Sequence, residues 1–113
     1  MNLPQVRRFA MSLPEVTEEP HFTYTSFRVG GKIFATVPPE GEHLHVFVTD
    51  EEWEIALLME PGFLEKLFWG KRVVGVRVSL ANAKPRVVNK LLTQAWSRKA
   101  SKSLRASLND GLG

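Results

Sequence analysis

Three histidines, His21, His43 and His45, are the residues of this 113-residue chain best suited to hold a metal or move a proton. His43 and His45 lie two apart in the alternating segment HLHV, so a strand there puts both imidazoles on one face. Two such imidazoles are half of a zinc site, and His21 or Glu42 would have to supply a third ligand. The spacing reads more simply as two half-exposed polar residues on the solvent side of a strand, and no metal site is expected. Carboxylates gather at Glu15, Glu18 and Glu19 and again at Glu51, Glu52 and Glu54. The second group opens a predicted helix, where acids suit the positive end of the dipole, and neither has calcium-loop spacing. The nucleophile patterns GxSxG, SxxK and HExxH are absent. With no cysteine, disulfides, thiolate metal sites and cysteine nucleophiles are excluded. The expectation is a protein that is not an enzyme and carries no cofactor.

The basic residues offer a different chemistry. Arg28 and Lys32 flank the dipeptide Gly30-Gly31, which suits the tip of a two-residue hairpin. Lys71, Arg72 and Arg77 mark a later β-like segment, and Trp69 stands beside the first two. Residues 84–113 hold seven basic residues against one acid, a net +6, whereas residues 1–83 are net −3. Lys99, Lys102 and Arg105 belong to that basic end. Cations with aromatics on exposed hairpins can grip a phosphate backbone and stack on bases. Basic residues on strands also protect sheet edges from pairing with other chains, and a basic helix end complements the helix dipole. Both readings stay open on the residues alone.

The elements that must position these side chains follow from periodicity and punctuation. Asn2 as a cap, Pro4 in the first turn and Val6, Phe9 and Ala10 at helical spacing predict a helix over 2–12, ended by Leu13-Pro14. Glu15 to Pro20 reads as a connection. Strands are predicted over 22–29, 32–37 and 43–48, an antiparallel meander with Ile33, Ala35 and Val37 on one face. Thr49 and Glu52 have the form of a capping box for a helix from about Asp50 to Met59, with Trp53, Ala56 and Leu57 inward. Phe63 to Leu67 reads as a helical turn. Lys71 to Ser79 reads as a fourth strand with Val74, Val76 and Val78 on one face. Asn82 is the predicted cap of a final helix whose stripe is Val88, Leu91, Leu92, Ala95 and Trp96. The expected core includes Phe9, Phe22, Phe34, Val46, Trp53, Val76, Leu92 and Trp96.

Composition agrees with one such domain over 1–113, its tail frayed at about 109–113. Hydrophobic residues are 43% and charged residues 24%, the balance of a globular chain that closes one core. No apolar run reaches the ~18 residues of a membrane span and the N-terminus lacks a signal-peptide stretch, so a cytoplasmic protein that contacts no membrane is expected. A monomer is expected as well.

The ordered segments LPEVTEEPHF, SFRVGGKIFATV, WGKRVVGVRVSL and LLTQAWSRKASKSLRAS resemble the MmcQ/YjbR family of small bacterial proteins over about residues 1–108. The resemblance implies an α+β fold of two layers, an antiparallel sheet backed by N-terminal, middle and C-terminal helices, of the CyaY-like or secretion-chaperone-like type. It also implies a double-wing arrangement associated with DNA binding. Arg28 and Lys32 would then form one wing tip, Lys71, Arg72 and Arg77 the neighbouring β surface, and Lys99, Lys102 and Arg105 a flanking phosphate clamp. Frataxin relatives of the fold bind iron through an acidic first helix; here that helix carries Arg7 and Arg8 and no acid before Glu15, so iron binding is not implied. The functional expectation is a DNA-binding or regulatory module, with an adaptor for a protein or small ligand as the alternative and an enzyme as a weaker one.

Overall fold

The computed structural model describes the backbone of residues 1–112 and the side chains of 1–108; the expected frayed tail, about 109–113, falls outside the described side chains. Helix α1 spans Leu3–Ser12. The Asn2 side chain accepts from the Gln5 backbone, and Gln5 returns a bond to the Asn2 backbone, so two otherwise orphaned donors are satisfied. Strands β1 (Val16–His21), β2 (Tyr24–Val29), β3 (Lys32–Val37) and β4 (His43–Val46) follow, then α2 (Asp50–Met59), β5 (Leu64–Trp69), β6 (Arg72–Ser79), a short 3-10 turn, α3 (Pro85–Lys99) and α4 (Lys102–Leu112). The six strands form one sheet in the order β1-β2-β3-β4-β6-β5, with every neighbouring pair antiparallel. Helix α3 packs across β2, β3 and β4, α1 on β1 and α3, and α2 on β5 and β6. The result is an α+β fold whose core lies between sheet and helices.

That core follows the predicted stripes. Val88, Leu91, Leu92, Ala95 and Trp96 of α3 are buried against Phe27, Val29, Phe34, Val46, Val76 and Val78 from the sheet. Gly30 and Gly31 have φ of 58° and 77°, the paired positive values a tight hairpin between right-twisted strands requires.

Several expectations need correction. Residues 15–20 are no simple connection: Val16–His21 is an edge strand paired with β2. Proline is tolerated at an edge, and a strand with only Val16 buried shows no apolar alternation. Phe63 to Leu67 is no helical turn, because Leu64–Trp69 is the other edge strand. Leu64 and Leu67 are both buried, and their spacing of three imitates a helix although in a strand it puts them on opposite faces. Asn82 does not cap the last helix; Leu80–Asn82 form the 3-10 turn and Lys84 takes the cap position before Pro85. Strand β4 stops at Val46, two residues short of the expected end. Phe22 is 92% exposed, because it sits in the β1–β2 turn with φ 57°. Phe9 and Trp53 pack at the margin of the core, only partly buried.

Two β-bulges shift the predicted faces. One lies where Phe27 and Arg28 pair with Ala35 and Ile33, the other where Leu67 and Phe68 pair with Gly75 and Val73. Each adds one residue to a strand and reverses the alternation beyond it. Ile33 and Val74 are therefore parted from Ala35, Val37, Val76 and Val78 and line a cleft on the other side of the sheet.

Candidate functional site

The face of the sheet turned away from the helices carries a polar row. Successive register pairs join Glu19, Ser26, Thr36, His45, Arg77 and Glu65, one residue from each strand. The Ser26 hydroxyl donates to the Glu19 carbonyl at 2.8 Å and accepts from Arg28 Nε at 2.9 Å. Arg77 donates to Glu65 at 2.9 Å. His45 lies mid-row, with its ring centroid 6.1 Å from that of Tyr24. Its Nε2 is buried and lacks a hydrogen-bond partner among the described residues. The sequence placed this histidine on a solvent-facing surface; it is half-buried in the row, with the Tyr24 ring near it and Arg77 its partner across the strands.

Burial, the largest influence, lowers the His45 pKa, and Arg77 lowers it further; His43 acts in the same sense, Glu40 and Glu65 in the opposite one. The folded imidazole is thus neutral where a histidine of the unfolded chain takes up a proton, near pH 6.5. Between that pH and the lower folded value the unfolded state binds more protons, so the stability held above about pH 6.5 is lost as pH falls through this window. His45→Gln is expected to flatten the acid-side fall of Tm, measured by thermal melts from about pH 7 to 5. An unchanged slope in the variant contradicts this assignment.

Around the row lies a cleft of about 820 Å³. Phe22 and Tyr24 line it from the β1–β2 side, Phe47 and Ile33 from the middle, and Phe68 and Trp69 from β5. Trp69 is 81% exposed and Phe68 57%. Arg72, Arg98 and Lys99 also line it, so the end of α3 and the start of β6 bring three cations to the same cleft. Among the described residues, no three histidine or carboxylate side chains gather as a metal ion would require.

The eight basic residues singled out from the sequence divide by what they touch. Arg28 is bound to Ser26 and to the Pro20 carbonyl at 3.2 Å, Arg77 to Glu65, and Arg105 to the Ser97 and Ala100 carbonyls at 3.1 Å, where it closes the end of α3. Lys32, Lys71, Arg72, Lys99 and Lys102 make no hydrogen bond or ion pair to a described side chain. The strand register carries Lys32, Lys71 and Arg72 to one end of the sheet. Val29 pairs with Lys32 at one hairpin tip and Trp69 with Arg72 at the other. Because β3, β4 and β6 are successively antiparallel, both tips point out of the same end of the sheet. Arg98 was missed by sequence reasoning. It is one more base in a basic helix end, and only the packing of α3 reveals that it faces the cleft.

The family model YjbR matches residues 11–98 of the chain. Among solved structures, the fold is similar to that of Deinococcus radiodurans protein DR2400, a protein with the family-model domain DUF419. The TM-score is 0.75 at 18% identity, over 96% of this chain and 88% of that one. No curated protein matches. No helix of the described residues is long and apolar enough to cross a membrane.

Proposed function

This chain belongs to the YjbR family, and from that premise we propose that it is a nucleic-acid-binding module gripping phosphates at the hairpin end of its sheet. The observation that carries the reading is the placement of Lys32 at one hairpin tip and Lys71 and Arg72 at the other, out of one end of the sheet, with Arg98 and Lys99 lining the same cleft as Arg72 and Lys102 following at the start of α4. A cation held by no protein acid is free to neutralise a phosphate, and the counterions condensed on the nucleic acid are released as it does so, which drives binding. Arg28, Arg77 and Arg105 are each tied by hydrogen bonds within the protein and shape the surface more than they grip the ligand. No pair of the free cations is fixed in a bidentate fork, so recognition is of phosphate more than of base edges. Asp50 and Glu51 open α2 just beyond the end of β4, and their charge holds the affinity down. The affinity expected is on the order of 10⁻⁴–10⁻⁶ M at physiological salt, largely independent of sequence.

The test is fluorescence anisotropy of labelled DNA with the wild type and the double variant Lys71→Ala/Arg72→Ala. Both side chains are exposed, so stability is expected to change by less than about 0.5 kcal/mol. Binding is expected to weaken across all sequences alike, and the salt slope to shrink by about two contacts' worth. Equal affinity of variant and wild type, with an unchanged salt slope, contradicts the reading.

A further inference from the structure

We infer that the ligand of this surface is a single strand, whose unpaired bases lie on the aromatic cleft while the cationic end holds its phosphates; this rests on the phosphate-binding reading above. Large apolar rings are normally withdrawn from water or scattered singly. Here Phe22 is 92% exposed, Trp69 81%, Phe68 57% and Tyr24 36%, and all four line one cleft. Nothing in the fold requires Trp69 or Phe68 to be aromatic at these positions, because both stand exposed at the end of an edge strand, beyond the register shift with β6. Arg72, Arg98 and Lys99 line the same cleft. Rings beside unpaired cations match a ligand that is flat and apolar on one part and anionic on another.

A duplex keeps its base faces inside the stack and offers a protein phosphates and groove edges. Against a duplex the four rings would find no partner. An unpaired strand exposes its bases, and aromatic side chains stack on any of them without reading sequence. The cleft floor adds Thr36 and His45, polar groups between the rings.

The experiment compares a labelled oligothymidine with a duplex of equal length, at one low salt concentration, for the wild type, Trp69→Ala and Trp69→Phe. Trp69 is exposed, so both variants are expected to fold, which thermal melting checks. The single strand is expected to bind the wild type about tenfold or more tighter than the duplex, and to quench its tryptophan fluorescence. Trp69→Ala is expected to lose about tenfold for the single strand and nothing for the duplex, while Trp69→Phe restores most of the loss. Equal binding of strand and duplex, untouched by Trp69→Ala, overturns the inference and leaves the phosphate reading standing. Binding of neither overturns both. A dimer in solution that Trp69→Ala dissociates assigns the rings to a second copy of the chain and likewise overturns the inference.

Discussion

Trp96→Ala is expected to cost the fold roughly 3–5 kcal/mol, the range for removing a large aromatic from a packed core. Trp96 is fully buried in α3, among the largest side chains enclosed in the protein. It sits at the end of the stripe that begins at Val88, so its indole fixes the far end of α3 against the sheet. Its Nε1 donates to the Pro14 carbonyl at 3.0 Å, which ties α3 to the turn between α1 and β1. Truncation leaves a cavity and an acceptor without its donor, and the two losses act together. Denaturant unfolding of wild type and variant measures the difference. A loss below about 1 kcal/mol, the scale of surface changes, contradicts this placement of the helix.

Gly75→Ala is expected to be comparably damaging for a different reason. A Cβ at Gly75 would lie 2.0 Å from the Val46 carbonyl oxygen, 2.9 Å from its carbon and 3.0 Å from the Phe47 Cα. All three are backbone atoms, so no side-chain rotation relieves the overlap. Strands β4 and β6 must separate where Val46 pairs with Val76, in the middle of the sheet and directly over the core. Overpacking usually costs about 1–3 kcal/mol, and a clash with fixed backbone belongs at or above the top of that range. For a domain of this size that corresponds to a fall in Tm of roughly 10 °C or more. A variant melting within about 2 °C of wild type would show that the strands part freely there. The glycine thus serves the site indirectly: its close approach keeps β6 against β4, the pairing that sets Arg77 opposite His45.

The legible parts of the fold were those with local signals. The Thr49–Glu52 capping box, Gly30-Gly31 and the α3 stripe are all where sequence spacing put them, because caps, tight turns and amphipathic faces are decided by neighbours in the chain. The edge strands were not legible. Val16–His21 contains a proline and buries little, and Leu64–Trp69 has its apolar residues three apart. The exchange of Ile33 and Val74 to the other face depends on bulges, which arise from pairing with distant strands. The candidate site was legible in residue type alone. Free and occupied cations look identical in sequence: Arg105 and Lys102 lie three apart, yet one closes a helix end and the other is exposed. The aromatic cleft was invisible because Phe22 and Tyr24 come to line one cleft with Phe68 and Trp69 only once the whole sheet has formed.

The central claim is that the cations at the hairpin end of the sheet, unpaired among the described residues, bind nucleic acid through its phosphates. A salt titration of duplex DNA binding tests it most directly, because counterion release counts phosphate contacts whatever the bases do. If about four phosphates are neutralised at once, log K is predicted to fall against log salt concentration with a slope near −3.6. A slope near zero, or no binding of duplex or of single strand at low salt with about 100 µM protein, would contradict the claim.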